Sequence, residues 1–233
     1  MDQRVDSNGP ILSKIRNLVF DLDGTLVDSI PGIGASLGGA FLSIGREIPL
    51  ADLRAAIGPP IGIIARRLEP GLSDDEVAQI ERHYRASYDM DGWRNTPLFP
   101  EVAETLHGCA KQGYRLFIVT NKPRIPTMKI LQHLGLESLF EEIVTRDSRN
   151  PGYASKADML GALLQRQALG TETTVMVGDT AEDGEAAEAN HLPFVYVTYG
   201  YGAVSAPEFA VDSLSGLQSL LFTEQITHEK ASA

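Results

Sequence analysis

Short apolar runs alternate along the chain with segments of helical periodicity. The runs are NLVFDLD (17–23), YRLFIVTN (114–121), EEIVTR (141–146), TTVMVGDT (173–180) and PFVYVTYG (193–200). Near-continuous Val, Ile and Phe runs that are separated by helices are typical of a parallel sheet covered on both faces. The pattern therefore predicts an α/β fold with a doubly wound parallel sheet. A last segment, VDSLSGLQSLLF, predicts a short strand followed by a helix.

The alternation is interrupted after the first apolar run. Residues 30–96 contain no pattern of a parallel strand, and helical patterns cover 32–45, 50–58, 61–69 and 73–90. Ser73 and Glu76 have the spacing of a capping box at the start of the last of these segments. The sequence therefore predicts a small α-helical domain over 30–96, inserted into a core domain that comprises 1–29 and 97–233.

The composition limits the classes of function. The chain has 233 residues, of which 43% are hydrophobic and 22% charged, as in ordinary soluble globular proteins. Its formal net charge is -11, whereas nucleic-acid-binding proteins usually have a positively charged surface. The negative charge also disfavours docking on an anionic membrane. No run reaches the ~18 apolar residues of a membrane span, and the first residues lack the apolar core of a signal peptide. We expect a cytoplasmic protein; monomer and homodimer are both compatible with the sequence.

Polar residues follow the apolar runs, where the predicted strands end. In open α/β sheets, ligands bind beyond the carboxyl ends of the strands, so we expect these side chains to converge. They are Asp21, Asp23 and Thr25 after the first run, Thr120, Asn121 and Lys122 after the second, Lys156 beyond the third, and Asp179, Thr180 and Asp183 after the fourth.

Converging carboxylates without histidine or cysteine favour a hard cation such as Mg²⁺. Cys109 is the only cysteine, and the five histidines have no metal-ligand spacing. Carboxylates alone would repel a phosphate group, but Mg²⁺ together with Lys156 and Thr120 would reverse the local charge. Such a site can stabilise a transferring phosphoryl group, with one carboxylate as nucleophile and a neighbouring carboxylate as proton donor.

These segments resemble the four motifs of the haloacid dehalogenase superfamily, in the family's order. DLDGTLVDS resembles motif I, FIVTNK resembles motif II, SKADML supplies the lysine of motif III, and VMVGDTAED resembles motif IV. The helical segment after motif I is similar to the family's C1 cap. Within the superfamily, LFPEVAETLHGCAKQGYRLFIVTNKP and YGYG resemble the phosphoglycolate phosphatases. The resemblance implies a Rossmann-like core with a small helical cap.

The resemblance also implies a role for each motif residue. Asp21 would be the nucleophile and a Mg²⁺ ligand, and Asp23 the general acid and base, with its backbone carbonyl on the metal. Asp179 would be a further metal ligand, and Asp183 would orient metal-bound water. The implied phosphate-binding residues are Thr120, Asn121, Lys156 and Gly24. A carboxylate at position 23 favours phosphoryl transfer, because the dehalogenase branch lacks it.

Two departures from the family pattern lie close to these motifs. Ala157 follows the motif III lysine where proline is frequent, and Asn190 occupies a position where glycine is common. Asn190 is expected to end the helix after the fourth run, since asparagine tolerates the left-handed conformation often found at helix C-termini.

The resemblance implies a Mg²⁺-dependent phosphatase that acts on a small phosphorylated metabolite, such as 2-phosphoglycolate, through an aspartyl-phosphate. The alternatives are a phosphotransferase or sugar phosphomutase, a pyrophosphatase or nucleotidase, and, outside the enzymes, a receiver-like phospho-signalling module. The long helical insert and the DxD motif disfavour the receiver.

Several further residues have more than one interpretation. Arg54, Arg66 and Arg67 are candidates for substrate recognition, and the alternative is a solvated helix face. Lys122 is the alternative to Lys156 as the phosphate-binding lysine. Asp28 is expected to stabilise the loop after motif I or to be solvated.

Overall fold

A parallel six-stranded sheet forms the centre of the computed structural model, which describes residues 12–48 and 53–222. Its strands are β1 (Asn17–Phe20), β2 (Arg115–Thr120), β3 (Glu142–Thr145), β4 (Thr174–Gly178), β5 (Phe194–Val197) and β6 (Phe209–Val211). The strand order is β3-β2-β1-β4-β5-β6. The order reverses beside β1, so this sheet has its topological switch point between β1 and β4, where such folds bind ligands.

The alternation of side chains along each strand explains why the runs are apolar throughout. In β1, Leu18 and Phe20 belong to one buried cluster, whereas Val19 belongs to a second cluster. In β4, Val177 faces the first cluster and Met176 the second. Both faces of the sheet are therefore covered, as the continuous apolar pattern predicts, and the predicted α/β fold is confirmed.

The helices of the described residues fall into two groups. Between β1 and β2 lie α1 (Ile30–Leu42), α2 (Leu53–Ala56), α3 (Ile61–Leu68), α4 (Asp74–Tyr88) and α5 (Val102–Lys111). Along the rest of the chain lie α6 (Arg124–His133), α7 (Lys156–Gln167), α8 (Ala181–Ala189) and α9 (Leu214–Phe222). In the part of the chain that the structure describes, no helix has both the length and the apolar character needed to span a membrane.

The segment 30–96 packs through its own helices. Helix α4 packs against α1 and α3, and Ile80, Tyr84 and Tyr88 lie on its buried side. The predicted capping box begins this helix: the Ser73 N–H donates to Glu76 Oε2 at 2.8 Å, and Ser73 Oγ accepts from the Glu76 N–H at 3.3 Å. The predicted helix start is confirmed, while residues 49–52 lie outside the described residues.

Asn190 ends α8 as expected, but the predicted left-handed conformation is wrong. Its φ is -106°, and the left-handed residue is His191, with φ of 57°. The Asn190 side chain instead donates hydrogen bonds to the carbonyl oxygens of Ala157 (3.1 Å) and Ala186 (2.9 Å). Asparagine thus joins the end of α8 to the start of α7, which explains its presence without a left-handed turn.

Candidate active site

Three buried carboxylates meet at the switch point of the sheet. Asp21 follows β1, Asp179 follows β4, and Asp183 lies in the first turn of α8. Because Phe20 pairs with Val177 across the two parallel strands, the residues that follow them emerge side by side. Oxygen atoms of the three carboxylates lie within 4.8 Å of one another. The structure therefore brings together three of the carboxylates that the sequence singles out.

Lys156 is the cation of this cluster. Its Nζ donates to Asp21 Oδ1 at 2.7 Å and to Asp183 Oδ1 at 2.5 Å, and the side chain is buried. Burial alone would lower the pKa of Lys156, but the two carboxylates raise it above its ordinary value, so the ammonium stays charged. The other oxygen of Asp183 accepts hydrogen bonds from the Thr180 N–H (3.0 Å) and hydroxyl (2.7 Å), which orient this carboxylate at the start of α8.

The cluster has more negative charge than the lysine neutralises. Burial raises the pKa of Asp21 well above its ordinary value; Lys156 opposes this shift, and the neighbouring carboxylates add to it. Burial likewise raises the pKa of Asp179 to about 6, again with a contribution from Asp183. Three carboxylates face one ammonium, and the oxygen donors suit a hard divalent cation. The chemistry of this donor set therefore fits Mg²⁺.

In the metal-free protein, the free energy of unfolding should fall as the pH rises from about 4 to 7. Asp179 has a pKa of about 6 in the folded protein and an ordinary value of 3.8, so the folded state binds the extra proton. The stability due to this proton is complete below the ordinary pKa and is lost as the pH rises through the folded pKa. Between pH 4 and 7, the free energy of unfolding of the wild-type protein should fall by about 2–3 kcal/mol more than that of Asp179→Asn.

Urea unfolding in excess EDTA, at several pH values, measures this difference. Added Mg²⁺ should restore stability at pH 7 in the wild-type protein and much less in Asp179→Asn, which lacks one ligand. A wild-type curve parallel to that of the variant would contradict the prediction.

The backbone at position 24 permits the close approach of Asp179. Gly24 has φ of +89°, and a Cβ atom there would lie 2.3 Å from Asp179 Oδ2. Glycine is therefore required both for the turn and for the space. The same carboxylate accepts hydrogen bonds from the Tyr201 N–H at 2.7 Å and the Thr25 hydroxyl at 3.2 Å.

Asp23 lies apart from the three clustered carboxylates and has its own lysine. Lys122 Nζ donates to Asp23 Oδ1 at 2.9 Å and to Oδ2 at 3.2 Å. Burial alone would lower the pKa of Lys122, but attraction to Asp23, with smaller contributions from Tyr88 and Tyr84, raises it above its ordinary value. The two lysines that the sequence offers as alternatives thus have separate partners. Lys156 pairs with Asp21, and Lys122 pairs with Asp23.

Thr120 and Asn121 lie at the carboxyl end of β2, beside these aspartates. Thr120 is buried, and its hydroxyl oxygen accepts from the Lys122 N–H at 3.1 Å. Asn121 Nδ2 donates to Glu182 Oε2 at 2.9 Å, whereas its buried Oδ1 has no partner in the part of the chain that the structure describes.

A cavity of about 500 Å³ connects the motif residues with the helices of segment 30–96. Its polar wall consists of Asp21, Asp23, Thr120, Asn121, Lys122 and Lys156. Its facing wall, from segment 30–96, includes the apolar and aromatic side chains of Ile33, Ile57, Ile61, Ile64, Tyr84 and Tyr88. The charged residues Glu81, Arg85 and Asp89 also line it. The arrangement can accommodate a small molecule with one strongly polar end.

The structure does not bring Arg54, Arg66 or Arg67 to this cavity, whose lining among the described residues contains none of them. Arg54 instead donates to the carbonyl oxygens of Tyr199 (2.7 Å) and Gly200 (2.6 Å). Arg66 donates to the Leu72 carbonyl at 2.7 Å and pairs with Asp74, and Arg67 is exposed. These contacts favour structural and surface roles over substrate recognition.

Cavity residues of α4 are not among the candidates that the sequence motifs indicate. Tyr84, Arg85 and Tyr88 all line the cavity, and Arg146 does so from the loop after β3. The available signal was the four-residue spacing of the two tyrosines, which places them on one helix face.

Asp28 stabilises the loop after motif I, as one of its two interpretations predicts. Its Oδ1 accepts hydrogen bonds from the Tyr201 hydroxyl at 2.9 Å and the Ile30 N–H at 3.2 Å. The same hydroxyl oxygen accepts from the Ser29 N–H at 2.6 Å. Since the Tyr201 N–H also binds Asp179, the YGYG segment links the start of α1 to the carboxylate cluster.

Comparison with known proteins identifies the family. The model of a family described as haloacid dehalogenase-like hydrolase matches residues 18–197, a range that contains all four motifs. The chain belongs to the haloacid dehalogenase-like hydrolases. The predicted family is thereby confirmed.

This haloacid dehalogenase-like hydrolase is similar to proteins with different described activities, as two relatives and one solved structure show. It is 37% identical over 187 residues to the tyrosine-protein kinase PtkA of Mycobacterium tuberculosis; the match covers 79% of this chain and 62% of the kinase. It is 30% identical over 217 residues to a phosphoglycolate phosphatase of Vibrio vulnificus, covering 88% of this chain and 95% of the phosphatase. A solved haloacid dehalogenase-like hydrolase of Streptococcus pneumoniae has a TM-score of 0.80 at 26% identity, covering 88% and 98% of the two chains. The predicted likeness to phosphoglycolate phosphatases is confirmed.

Proposed function

We propose that this haloacid dehalogenase-like hydrolase is a phosphatase that releases inorganic phosphate from a small phosphomonoester, such as 2-phosphoglycolate. The observation that carries the proposal is the contact of Lys156 with Asp21 inside a buried carboxylate cluster. This contact combines a nucleophile with a cation that can hold phosphoryl oxygens. The sequence match to the phosphoglycolate phosphatase of V. vulnificus, which covers 95% of that protein, also supports this proposal.

The proposed reaction has two steps. In the first, a carboxylate oxygen of Asp21 attacks phosphorus, the ester P–O bond breaks, and Asp23 gives a proton to the leaving oxygen. In the second, Asp23 takes a proton from water as that water attacks the aspartyl-phosphate. The bond between phosphorus and Asp21 then breaks, which releases phosphate and restores both carboxyl groups. Lys156 and Thr120, with backbone N–H groups near Gly24 and Asn121, would hold the phosphoryl oxygens.

Asp21 and Asp179 are the proposed Mg²⁺ ligands, together with the backbone carbonyl of Asp23, and Asp183 would orient water beside the metal. When bound, Mg²⁺ supplies the positive charge that offsets the carboxylates and the phosphoryl oxygens. The unbalanced negative charge of the buried cluster supports this assignment.

The helices of segment 30–96 are proposed to form a cap domain over a core of 1–29 and 97–233. The cavity between the two sets of residues supports this division, because both parts of the chain contribute residues to its lining. A cap over such a cavity would exclude bulk water during phosphoryl transfer. A volume of about 500 Å³ favours a small substrate over a macromolecule.

Phosphate release from small phosphomonoesters should require Mg²⁺. Excess EDTA is expected to lower the rate by at least about 100-fold, because the carboxylate cluster without a cation repels the phosphate dianion. A colorimetric phosphate assay with phosphoglycolate, before and after addition of excess Mg²⁺, measures the loss and its recovery. An undiminished rate in EDTA would exclude the Mg²⁺-dependent mechanism.

A second candidate function is transfer of the phosphoryl group to an acceptor other than water. The 37% identity to a tyrosine-protein kinase favours this candidate, although the matched region covers only 62% of that kinase. Incubation with ATP and a tyrosine-containing peptide would yield phosphotyrosine if this chain has the transferase activity. Isomerised sugar phosphate without free phosphate would instead indicate a mutase.

A further inference from the structure

The hydroxyl group of Tyr88 is buried without a hydrogen-bond partner among the described residues. Tyr88 is 2% exposed and lines the cavity from α4, and its hydroxyl oxygen accepts or donates no hydrogen bond within residues 12–48 and 53–222. Its ring stacks on Tyr84 with a centroid distance of 5.1 Å and an interplanar angle of 11°, which holds it in this orientation. A buried hydroxyl without a partner is unfavourable, so a ligand in the cavity would complete its hydrogen bonding.

Lys122 offers a buried cation beside this hydroxyl-bearing ring. Its Nζ lies 5.0 Å from the centre of the Tyr88 ring, and the residue is 7% exposed and lines the cavity. Asp23 is its ion-pair partner among the described residues. At most two of its three N–H groups are directed at the oxygens of Asp23, and the Tyr88 side chain adds to the raised pKa of Lys122, so the ammonium and the hydroxyl are neighbours in the cavity wall.

We propose that the Tyr88 hydroxyl and the Lys122 ammonium form a subsite that binds a carboxylate of the leaving group. The assignment rests on the proposed phosphatase function and names the residues that select its substrate. Because Lys122 contacts Asp23, the proposed proton donor to the ester oxygen, the carboxylate must lie within a few bonds of that oxygen. Short phosphorylated hydroxy acids meet this condition. Tyr88 belongs to α4 and Lys122 to the loop after β2, so the subsite needs both parts of the chain.

The test compares two substrates of similar size, phosphoglycolate and ethyl phosphate, of which only the first has a carboxylate. Tyr88→Phe keeps the stacked ring and should lower kcat/KM for phosphoglycolate about 10-fold, with little change for ethyl phosphate. Lys122→Met should lower both values, since Asp23 loses its partner, but phosphoglycolate should lose about 10-fold more. Tyr114→Phe, at the opposite end of β2, is the matched control and should change neither value.

A binding measurement separates this inference from the proposed function. In the Asp21→Asn variant with Mg²⁺, calorimetry should show a Kd for phosphoglycolate that Tyr88→Phe raises about 10-fold, with that of ethyl phosphate unchanged. If the wild-type protein did not hydrolyse phosphoglycolate, the phosphatase proposal would be overturned. The difference in Kd between the two ligands would still support the subsite in that case. Equal effects on the two ligands would overturn the subsite. The subsite would also be overturned if Arg85→Gln removed the preference for phosphoglycolate and Tyr88→Phe did not.

Discussion

Replacement of Asp21 by asparagine should lower phosphate release by about 10⁵-fold. The amide has nearly the same shape as the carboxylate and retains an oxygen that can accept from Lys156 Nζ, which lies 2.7 Å from Asp21 Oδ1. It lacks the negative charge needed to attack phosphorus, so the aspartyl-phosphate cannot form. A phosphate assay with phosphoglycolate and Mg²⁺ measures the loss, and circular dichroism checks that the fold is retained.

Asp75→Asn is the matched control for this substitution. Asp75 is exposed in the first turn of α4, far along the chain from the motif residues, so its substitution should leave the rate within about twofold. If Asp21→Asn retained a tenth or more of the wild-type rate, Asp21 could not be the nucleophile.

Replacement of Lys156 by methionine should damage both activity and stability. Methionine keeps an unbranched stem but leaves Asp21 and Asp183 without the cation that they share. Removing one partner of a buried ion pair costs about 3–5 kcal/mol. Phosphate release should fall by about 10³-fold, because the phosphoryl oxygens lose a preorganised donor. Urea unfolding and the phosphate assay measure the two effects separately.

Added Mg²⁺ should recover part of the stability lost in Lys156→Met, because a bound cation also compensates the carboxylates. Lys111→Met, an exposed substitution in the last turn of α5, should change the free energy of unfolding by at most about 0.5 kcal/mol. An unfolding curve of Lys156→Met that matched this control would contradict the buried ion pair.

The sheet and the carboxylate cluster could be predicted because each depends on local sequence. Continuous apolar runs specify strands that are buried on both faces, and parallel strands place the residues after them at one edge. Asp21 and Asp179 follow two such runs directly, so their convergence needs no knowledge of the loops.

The partners of the two lysines could not be predicted in the same way. Lys122 and Lys156 both follow apolar runs, and which of them reaches Asp21 depends on the path of the long loop between β3 and α7. The structure shows that this loop brings Lys156 to Asp21 and leaves Lys122 beside Asp23. Chain order alone contains no information about that choice.

The contribution of α4 to the cavity lining could not be predicted from the sequence either. Helical periodicity identifies a buried face that includes Tyr84 and Tyr88, but it does not distinguish a face in the protein core from one that borders a cavity. Only the three-dimensional structure shows that the Tyr88 hydroxyl is buried without a hydrogen-bond partner among the described residues. Likewise, Arg66 is a plausible anion-binding residue until its contact with Asp74 is known.

Acid-quenched peptide mapping tests most directly whether Asp21 carries the phosphoryl group during turnover. Wild-type protein is mixed rapidly with Mg²⁺ and phosphoglycolate, quenched at successive times, digested, and analysed by mass spectrometry. A phosphoryl group on the peptide that contains Asp21 should form before the first turnover ends and decay when substrate is exhausted. In Asp21→Asn it should not form. Phosphate release by the wild-type protein without any phosphoryl group at Asp21 would contradict the proposed mechanism.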